Sequence, residues 1–205
     1  MGNQRLQKCF VVAETVLFLV FVCMDLKHAD SSAFKYLGIV LCLIYALIGR
    51  NAEGSVAFVF TLLADWFLLI RNSHYLYGVL FFVAVQLIYA HILVGRGCRL
   101  LLPLRLCLSV SALTVLFLLK RFDLLNTVTL VYFSLLLGNL FSSLTNKKLR
   151  IMSGGFFLFV CCDICVGLFN LLERGPAYDA VSLLMWIFYL PSQVLLAIGQ
   201  ADHRD

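Results

Sequence analysis

The stretch S-V-A-F-V-F-T-L-L-A-D-W-F-L-L-I, from Ser55 to Ile70, is apolar over nearly its whole length but carries an aspartate, Asp65, near its end. A helix rises 1.5 Å per residue and crosses the hydrocarbon of a bilayer with roughly 17 to 25 residues of this kind. With a few flanking residues, this stretch predicts a transmembrane helix.

The composition of the whole chain agrees with a membrane protein. Of its 205 residues, 62% are hydrophobic and 13% are charged, and its mean hydropathy is +0.98. Water-soluble domains keep about a quarter of their residues charged. We therefore expect residues 1–205 to form a single membrane domain. The net charge of +5 suits contact with anionic lipid headgroups, and nothing in the sequence suggests that nucleic acid is bound.

Apolar runs separated by charged clusters recur along the chain and predict an all-α, polytopic bundle of about eight transmembrane helices. The alternating ten-residue segments of a β-barrel are absent from the sequence. The predicted helices lie near residues 9–24, 36–49, 55–70, 77–94, 100–119, 124–144, 154–172 and 181–199.

The distribution of basic residues predicts that both termini are cytoplasmic. The first run contains Glu14 and ends in Asp25 and Lys27 without a small-residue cleavage site, so we interpret it as a retained helix and not as a signal peptide. With eight helices the termini share one side, which holds ten Lys and Arg residues against six on the other. The ten are Arg5, Lys8, Arg50, Arg96, Arg99, Arg105, Lys147, Lys148, Arg150 and Arg204.

Eight cysteines lie almost wholly within the predicted helices, where small residues favour close helix packing, so a disulfide framework is not expected. The segment C-C-D-I-C, from Cys161 to Cys165, offers thiols and Asp163 on one helix. A metal site there is the less favoured interpretation, because zinc sites usually add histidine or a second cysteine pair. We expect no metal, and the sequence contains no nucleotide or flavin motif that would indicate a cofactor.

Asp65 and Asp163 are the most unusual residues of the chain. A charged side chain in the middle of a bilayer costs several kcal/mol and marks a functional site by default. Each aspartate follows an arginine, Arg50 or Arg150, by a similar number of residues, on helices predicted to run in the same direction. At roughly 20 Å along each helix, the two carboxyls reach the same depth and can meet. The alternative is that each only forms an interhelical hydrogen bond.

Other polar residues recur at a similar depth and predict a polar pocket around the aspartates. They lie on the fourth, sixth and eighth predicted helices: Gln86, Tyr89, Tyr132, Asn139, Ser192 and Gln193. Glu14, in the first helix, is expected near the membrane boundary, where it would pair with a basic residue of a neighbouring loop.

In these residues the chain resembles the YhhN family of membrane proteins, from Lys35 to Gly199. Ala64 and Asp65 are similar to a Gly-Asp of its third helix, and the spacing that follows matches a G-x-x-x-F-x-x-x-H-x-x-Y pattern. The segment G-G-F-F-L-F-V-C-C-D resembles a later signature, and F-Y-L-P-S-Q-V-L-L-A-I resembles the final helix. Three positions depart from the family pattern: Ala64 replaces Gly, Gln86 replaces His and Cys162 replaces Ser. The matching positions are Lys35, Gly78, Phe82, Tyr89, Tyr132, Tyr189 and Gln193.

The resemblance implies a lysoplasmalogenase, which hydrolyses the vinyl ether bond of a lysoplasmalogen to a fatty aldehyde and a glycerophospho headgroup. The residues suit that reaction, because protonation of the alkene carbon needs an acid beside a stabilising anion, and two neighbouring carboxyls supply both. Asp65 and Asp163 are the predicted catalytic pair, without a choice of which donates the proton. Substrate-binding roles are predicted for Lys35, which would bind the lipid phosphate or only anchor its helix, and for Gln86, Tyr89, Tyr132, Tyr189 and Gln193.

Other functions remain open from the sequence. Paired intramembrane acids, with a hint of a four-plus-four duplication, also occur in proton-coupled transporters, which favour broken helices at the site. A non-catalytic lipid-binding protein, or a hydrolase of another single-chain lysophospholipid, fits as well. The short loops favour a bacterial cytoplasmic membrane, and the sequence does not predict an oligomeric state.

Overall fold

A computed structural model describes residues 2–98, 102–118 and 123–201. In these residues the chain forms eight α-helices, which confirms the predicted all-α fold. They are α1 (Gly2–Leu26), α2 (Ser32–Ile48), α3 (Ala52–Asp65), α4 (Tyr75–Gly95), α5 (Leu102–Leu118), α6 (Leu124–Leu144), α7 (Arg150–Phe169) and α8 (Pro176–Ala201). A π-helical turn, Trp66–Ile70, continues α3, and a 3₁₀ turn, Lys147–Leu149, precedes α7.

Six of these helices are long and apolar enough to cross a membrane, and the chain is therefore an integral membrane protein. The two shorter apolar helices are α2 and α5. Four of the basic residues counted for the orientation lie outside the described residues: Arg99 and Arg204 from the ten on the terminal side, and Lys120 and Arg121 from the six on the other side. The predicted cytoplasmic placement of the termini stays a prediction.

Each predicted apolar run lies on a helix, but several helices are longer than their apolar runs. The first begins at Gly2, not at Cys9, and the last begins at Pro176, not at Val181. Both extensions are polar turns that a hydropathy pattern ignores, although helical hydrogen bonding continues through them. Proline suits the first position of a helix, because the amide N–H that it lacks would have no partner there.

Six helices form a closed ring. Going round it, α2 packs on α3, α3 on α4, α4 on α6, α6 on α7, α7 on α8, and α8 returns to α2. The remaining two helices lie outside this ring: α1 packs on α2 and α8, and α5 packs mainly on α6. The residues predicted for the site lie on members of the ring, which places them around a common interior.

The α7–α8 contact is the most intimate of the ring because it is built on glycines. A Cβ atom added to Gly199 would lie 2.9 Å from the backbone nitrogen of Met152, and one added to Gly155 would lie 2.8 Å from Cγ of Leu196. No side chain fits at those distances, so the two backbones approach as small residues allow in membrane helix pairs.

Polar contacts join several helices at one end of the ring. The guanidinium of Arg96 donates from Nη1 to the carbonyl of Gly199 and from Nη2 to that of Gln200, both at 2.9 Å. These carbonyls belong to the last turn of α8, which has no intrahelical donors left. Gln200 also accepts from Asn51 at 3.4 Å. This end of the bundle is therefore tied together by hydrogen bonds.

Candidate functional site

Asp65 is the last residue of α3 and faces the interior of the ring, with 4% of its surface exposed. The Tyr189 hydroxyl of α8 donates to its Oδ2 over 2.7 Å. A buried carboxyl needs hydrogen-bond partners, and one phenol fixes the orientation of this one while leaving Oδ1 available.

Asp163 has a matching arrangement on α7. The Tyr132 hydroxyl of α6 donates to its Oδ2 over 2.6 Å. Asp163 is half-buried, whereas Asp65 is buried. Each predicted catalytic carboxyl is thus held by one of the predicted tyrosines, and the less enclosed of the two is Asp163.

The two carboxyl–tyrosine pairs belong to one cluster. The ring of Phe82, on α4, lies 5.7 Å from that of Tyr132 and 6.4 Å from that of Tyr189, centroid to centroid. Phe159, on α7, lies 5.8 Å from Phe82 and 5.6 Å from Tyr189. That the two aspartates face one pocket stays a prediction.

The helices are irregular beside both partners of the Asp65 pair. The α-helical hydrogen bonding of α3 ends at Asp65 and continues as the π-helical turn Trp66–Ile70. Pro191, inside α8, follows Tyr189 by two residues and has no N–H to donate. π-Turns and prolines are the usual origins of local bends and occur often at functional sites.

Gln86 is hydrogen-bonded to Asn139, which in turn is hydrogen-bonded to the buried cation Arg105. Asn139 Nδ2 donates to Oε1 of Gln86 at 2.9 Å and to its backbone carbonyl at 2.8 Å. Asn139 Oδ1 accepts from Nη2 of Arg105 at 2.7 Å. Sequence reasoning assigned no role in the site to Arg105, because a basic residue near the start of an apolar run is typical of a membrane boundary.

The hydrogen bonds described for Tyr89 and Gln193 are formed with residues other than Asp65 and Asp163. The Tyr89 hydroxyl accepts from Nε2 of Gln200 at 3.4 Å, so Tyr89 contacts the hydrogen-bonded end of the ring. Gln193 lies one turn beyond Tyr189 and donates to the Ser192 hydroxyl at 3.4 Å. Its buried Oε1 has no partner among the described residues. Gln193 therefore has an acceptor to offer a bound molecule, and Tyr89 contributes mainly to structure.

Lys35 is linked to the aspartate cluster through Trp186 and Tyr189, and it already forms an ion pair with Asp25. Its Nζ is 2.8 Å from Oδ2 of Asp25, and the Ser31 hydroxyl donates to the same carboxylate. Nζ also lies 4.8 Å from the ring centre of Trp186, whose ring is 5.4 Å from that of Tyr189. Lys35 is close to the site, but its charge is balanced within the protein.

The predicted location of Glu14 near the membrane boundary, beside a basic residue of a loop, was wrong. Glu14 lies in the middle of α1, is 3% exposed, and accepts from the Cys42 thiol at 3.6 Å. Its Oε2 has no partner among the described residues. The helix begins seven residues earlier than the apolar run, which moves Glu14 from the boundary to the centre and away from any basic loop.

Among the described residues, no group of three or more His, Cys, Asp or Glu side chains is placed to hold a metal ion. All eight cysteines are free, including Cys161, Cys162 and Cys165 around Asp163.

A ring of membrane helices that encloses two tyrosine-bound carboxyls defines a class: polytopic membrane proteins with an intramembrane acidic site. The model of the YhhN family matches residues 30–200, so the chain belongs to the YhhN family. The predicted resemblance is confirmed. The matched residues include α5 and all of the ring except Ala201, the last residue of α8, whereas α1 precedes them. Comparison with curated proteins found no match, and comparison with solved structures found none either.

Proposed function

We propose that this protein is a membrane-embedded hydrolase that cleaves the vinyl ether bond of lysoplasmalogens, releasing a fatty aldehyde and a glycerophospho headgroup. The observation that carries the proposal is the pair of carboxyls, Asp65 and Asp163, each held by one tyrosine hydroxyl around a shared aromatic cluster. Membership of the YhhN family supports it.

The reaction needs an acid and a base in one apolar pocket. One carboxyl, protonated, delivers its proton to the alkene carbon that is not bonded to oxygen, and the alkene electron pair forms the new C–H bond. The other carboxyl, ionised, stabilises the oxocarbenium ion and accepts a proton from the water that attacks it. The hemiacetal then breaks its C–O bond: the second carboxyl donates the proton it accepted to the leaving glycerol oxygen, and the first carboxyl takes the proton of the hemiacetal hydroxyl. The aldehyde and the free glycerol hydroxyl are released, and both carboxyls are back in their starting protonation states. Neighbouring carboxyls share protons in this way because both resist being ionised together.

The tyrosines orient the carboxyls, and the aromatic cluster surrounds the cation that forms. Because each phenol occupies Oδ2, the Oδ1 atoms of Asp65 and Asp163 remain for the substrate and for water. The rings of Phe82 and Phe159 pack against the tyrosines that hold the carboxyls, and aromatic rings attract positive charge at their faces. Gln193, whose Oε1 has no partner within residues 2–98, 102–118 and 123–201, is suited to accept from the attacking water.

The test is release of fatty aldehyde from a lysoplasmalogen by the purified protein in detergent. Asp65→Asn and Asp163→Asn remove the acid–base function at constant shape, and we expect each to lower kcat by at least about 100-fold. Asp123→Asn is the matched control: Asp123 caps α6, is exposed, and asparagine caps equally well. A wild-type protein that releases no aldehyde from lysoplasmalogens of either common headgroup would contradict the proposal.

A proton-coupled transporter is the second candidate, because the helices are irregular beside the acidic pair. The π-turn after Asp65 and Pro191 near Tyr189 are the broken-helix features expected of such a site. Proteoliposomes that carry a pH-sensitive dye inside would separate the two functions. Lysolipid-dependent proton uptake without aldehyde release would favour transport, whereas lysolipid binding with neither would indicate a non-catalytic lipid-binding protein.

A further inference from the structure

Arg105 is a buried cation that has no acidic partner in the part of the chain that the structure describes. It lies in the first turn of α5, is 6% exposed, and crosses to α6, where its stem packs flat against Gly138. Its one described side-chain hydrogen bond goes to a neutral amide, Asn139. No carboxylate among the described residues forms an ion pair with it. A buried guanidinium without a counter-charge is costly, so this position favours an anionic ligand.

The hydrogen-bond directions in this cluster are fixed by chemistry. A guanidinium only donates, so the oxygen of Asn139 must face Arg105 and its nitrogen must face Gln86. The oxygen of Gln86 then faces Asn139, which leaves Nε2 of Gln86 as a buried donor without a partner in the part of the chain that the structure describes. Nε of Arg105 is a second buried donor with no partner there. Both unpartnered atoms of the cluster are N–H donors, and they require acceptor atoms from a ligand.

The cluster lies at the distance from the carboxyls that a lysophospholipid spans. Gln86 is one turn beyond Phe82 on α4, roughly 6 Å along the helix, and Asn139 is two turns beyond Tyr132 on α6, roughly 10 Å. In a lysoplasmalogen, a short glycerol chain separates the ether oxygen from phosphorus, with an extended reach of roughly 6 Å at ordinary bond lengths. A vinyl ether at the carboxyls therefore places its phosphate near Gln86 and Arg105.

We propose that Arg105 and Gln86 bind the phosphate of the lysophospholipid substrate. The inference rests on the proposed function and gives it an orientation: the headgroup lies on the Arg105 side of the carboxyl pair. The phosphate-binding role that the sequence predicted for Lys35 moves to Arg105, because Asp25 already neutralises Lys35. Arg105 is also the better phosphate ligand, since its planar donors match phosphate oxygens.

Direct binding of non-hydrolysable probes tests the inference without requiring catalysis. The probes are a 1-alkyl-lysophospholipid, in which a saturated ether replaces the vinyl ether, and the 1-alkylglycerol of equal chain length, which lacks the phosphate. For Arg105→Gln we expect the Kd of the phospholipid probe to rise at least about tenfold, with the Kd of the alkylglycerol within about twofold of wild type. Arg105→Lys should recover part of the loss, and Arg150→Gln, an exposed cation of α7, should bind both probes like wild type.

Several results would overturn the inference. Equal weakening of both probes by Arg105→Gln would mean that Arg105 only supports the fold. If the Kd of the phospholipid probe is unchanged in Arg105→Gln but raised in Lys35→Gln, then Lys35 binds the phosphate and Arg105 does not. Equal competition by a two-chain phospholipid would place a bulk membrane lipid at Arg105.

The kinetic form of the experiment separates this inference from the proposed function. If the wild type releases aldehyde, Arg105→Gln should raise KM for the lysoplasmalogen and leave hydrolysis of 1-alkenylglycerol unchanged. If the wild type releases none, the proposed function fails, but the binding difference between the two probes still decides whether Arg105 binds phosphate.

Discussion

Tyr189 and Asp65 are 124 residues apart in the chain, yet the Tyr189 hydroxyl donates to Oδ2 of Asp65 over 2.7 Å. The contact joins α8 to α3 across the interior of the ring, and Tyr132 makes the corresponding contact with Asp163. A tyrosine is thus the partner of each carboxyl in the cluster.

Removing either hydroxyl should slow the reaction without unfolding the protein. Tyr189→Phe and Tyr132→Phe each delete one hydrogen bond to a carboxyl, which is worth about 1.5 to 3 kcal/mol. We expect kcat for aldehyde release to fall about 10- to 100-fold. Tyr77→Phe is the control, because Tyr77 is 54% exposed on α4. A rate within twofold of wild type in both variants would mean that the phenols do not orient the carboxyls.

Filling the α7–α8 contact should destabilise the bundle. Gly199→Ala adds a Cβ 2.9 Å from the backbone of Met152, so one helix must move. Overpacking of this kind costs about 1 to 3 kcal/mol, and thermal unfolding in detergent should occur several degrees lower. Gly167→Ala, on α7, meets nothing within 4 Å and should leave the Tm unchanged or raise it. Equal Tm values for the two variants would contradict the close approach.

Arg96 should stabilise the end of α8. Arg96→Ala leaves the carbonyls of Gly199 and Gln200 without the two donors that lie at 2.9 Å. Loss of these charge-assisted bonds should cost about 1.5 to 3 kcal/mol, measured as a lower Tm and as faster hydrogen exchange in the last turn of α8. Arg150→Ala, an exposed cation in the first turn of α7, is the matched change and should have little effect. If exchange in α8 is the same in both, Arg96 does not cap that helix.

Glu14 should be dispensable for hydrolysis. It lies on α1, outside the ring. Oε1 accepts from the Cys42 thiol, and Oε2 has no partner among the described residues. Glu14→Gln preserves the shape and removes an ionisable group from the membrane interior, so we expect aldehyde release within twofold of wild type and an equal or higher Tm. Glu14→Ala opens a cavity and should lower the Tm. A tenfold loss of activity in Glu14→Gln would extend the acidic site to α1.

The helices were predictable because hydrophobic runs of membrane length are a strong signal. A shared depth for Asp65 and Asp163 was predicted from helix rise alone and stays a prediction. The order of the helices around the ring was not predictable, because a hydropathy pattern carries no information that α8 packs on α2 or that α5 lies outside the ring. Helix ends were also misplaced where polar turns extend the hydrogen bonding, which is why Glu14 was put at the wrong depth.

Arg105 was missed because sequence position alone does not separate a boundary arginine from one that turns inward. A signal was nevertheless present. Arg105 lies inside a predicted apolar run, and Asn139, its partner, lies inside another. Two polar residues within neighbouring apolar runs are candidates for a shared hydrogen bond, and pairing them would have drawn attention to this cluster.

The closure of the ring by α8 also has a consequence for biosynthesis. Asp65 leaves the ribosome 124 residues before its tyrosine partner, which at about 5 to 20 residues per second corresponds to a delay of roughly 6 to 25 seconds. During that interval a membrane-inserting intermediate carries an unsatisfied carboxyl. Because an unpaired polar group is costly inside a membrane, the interior of the ring is complete only once α8 has inserted.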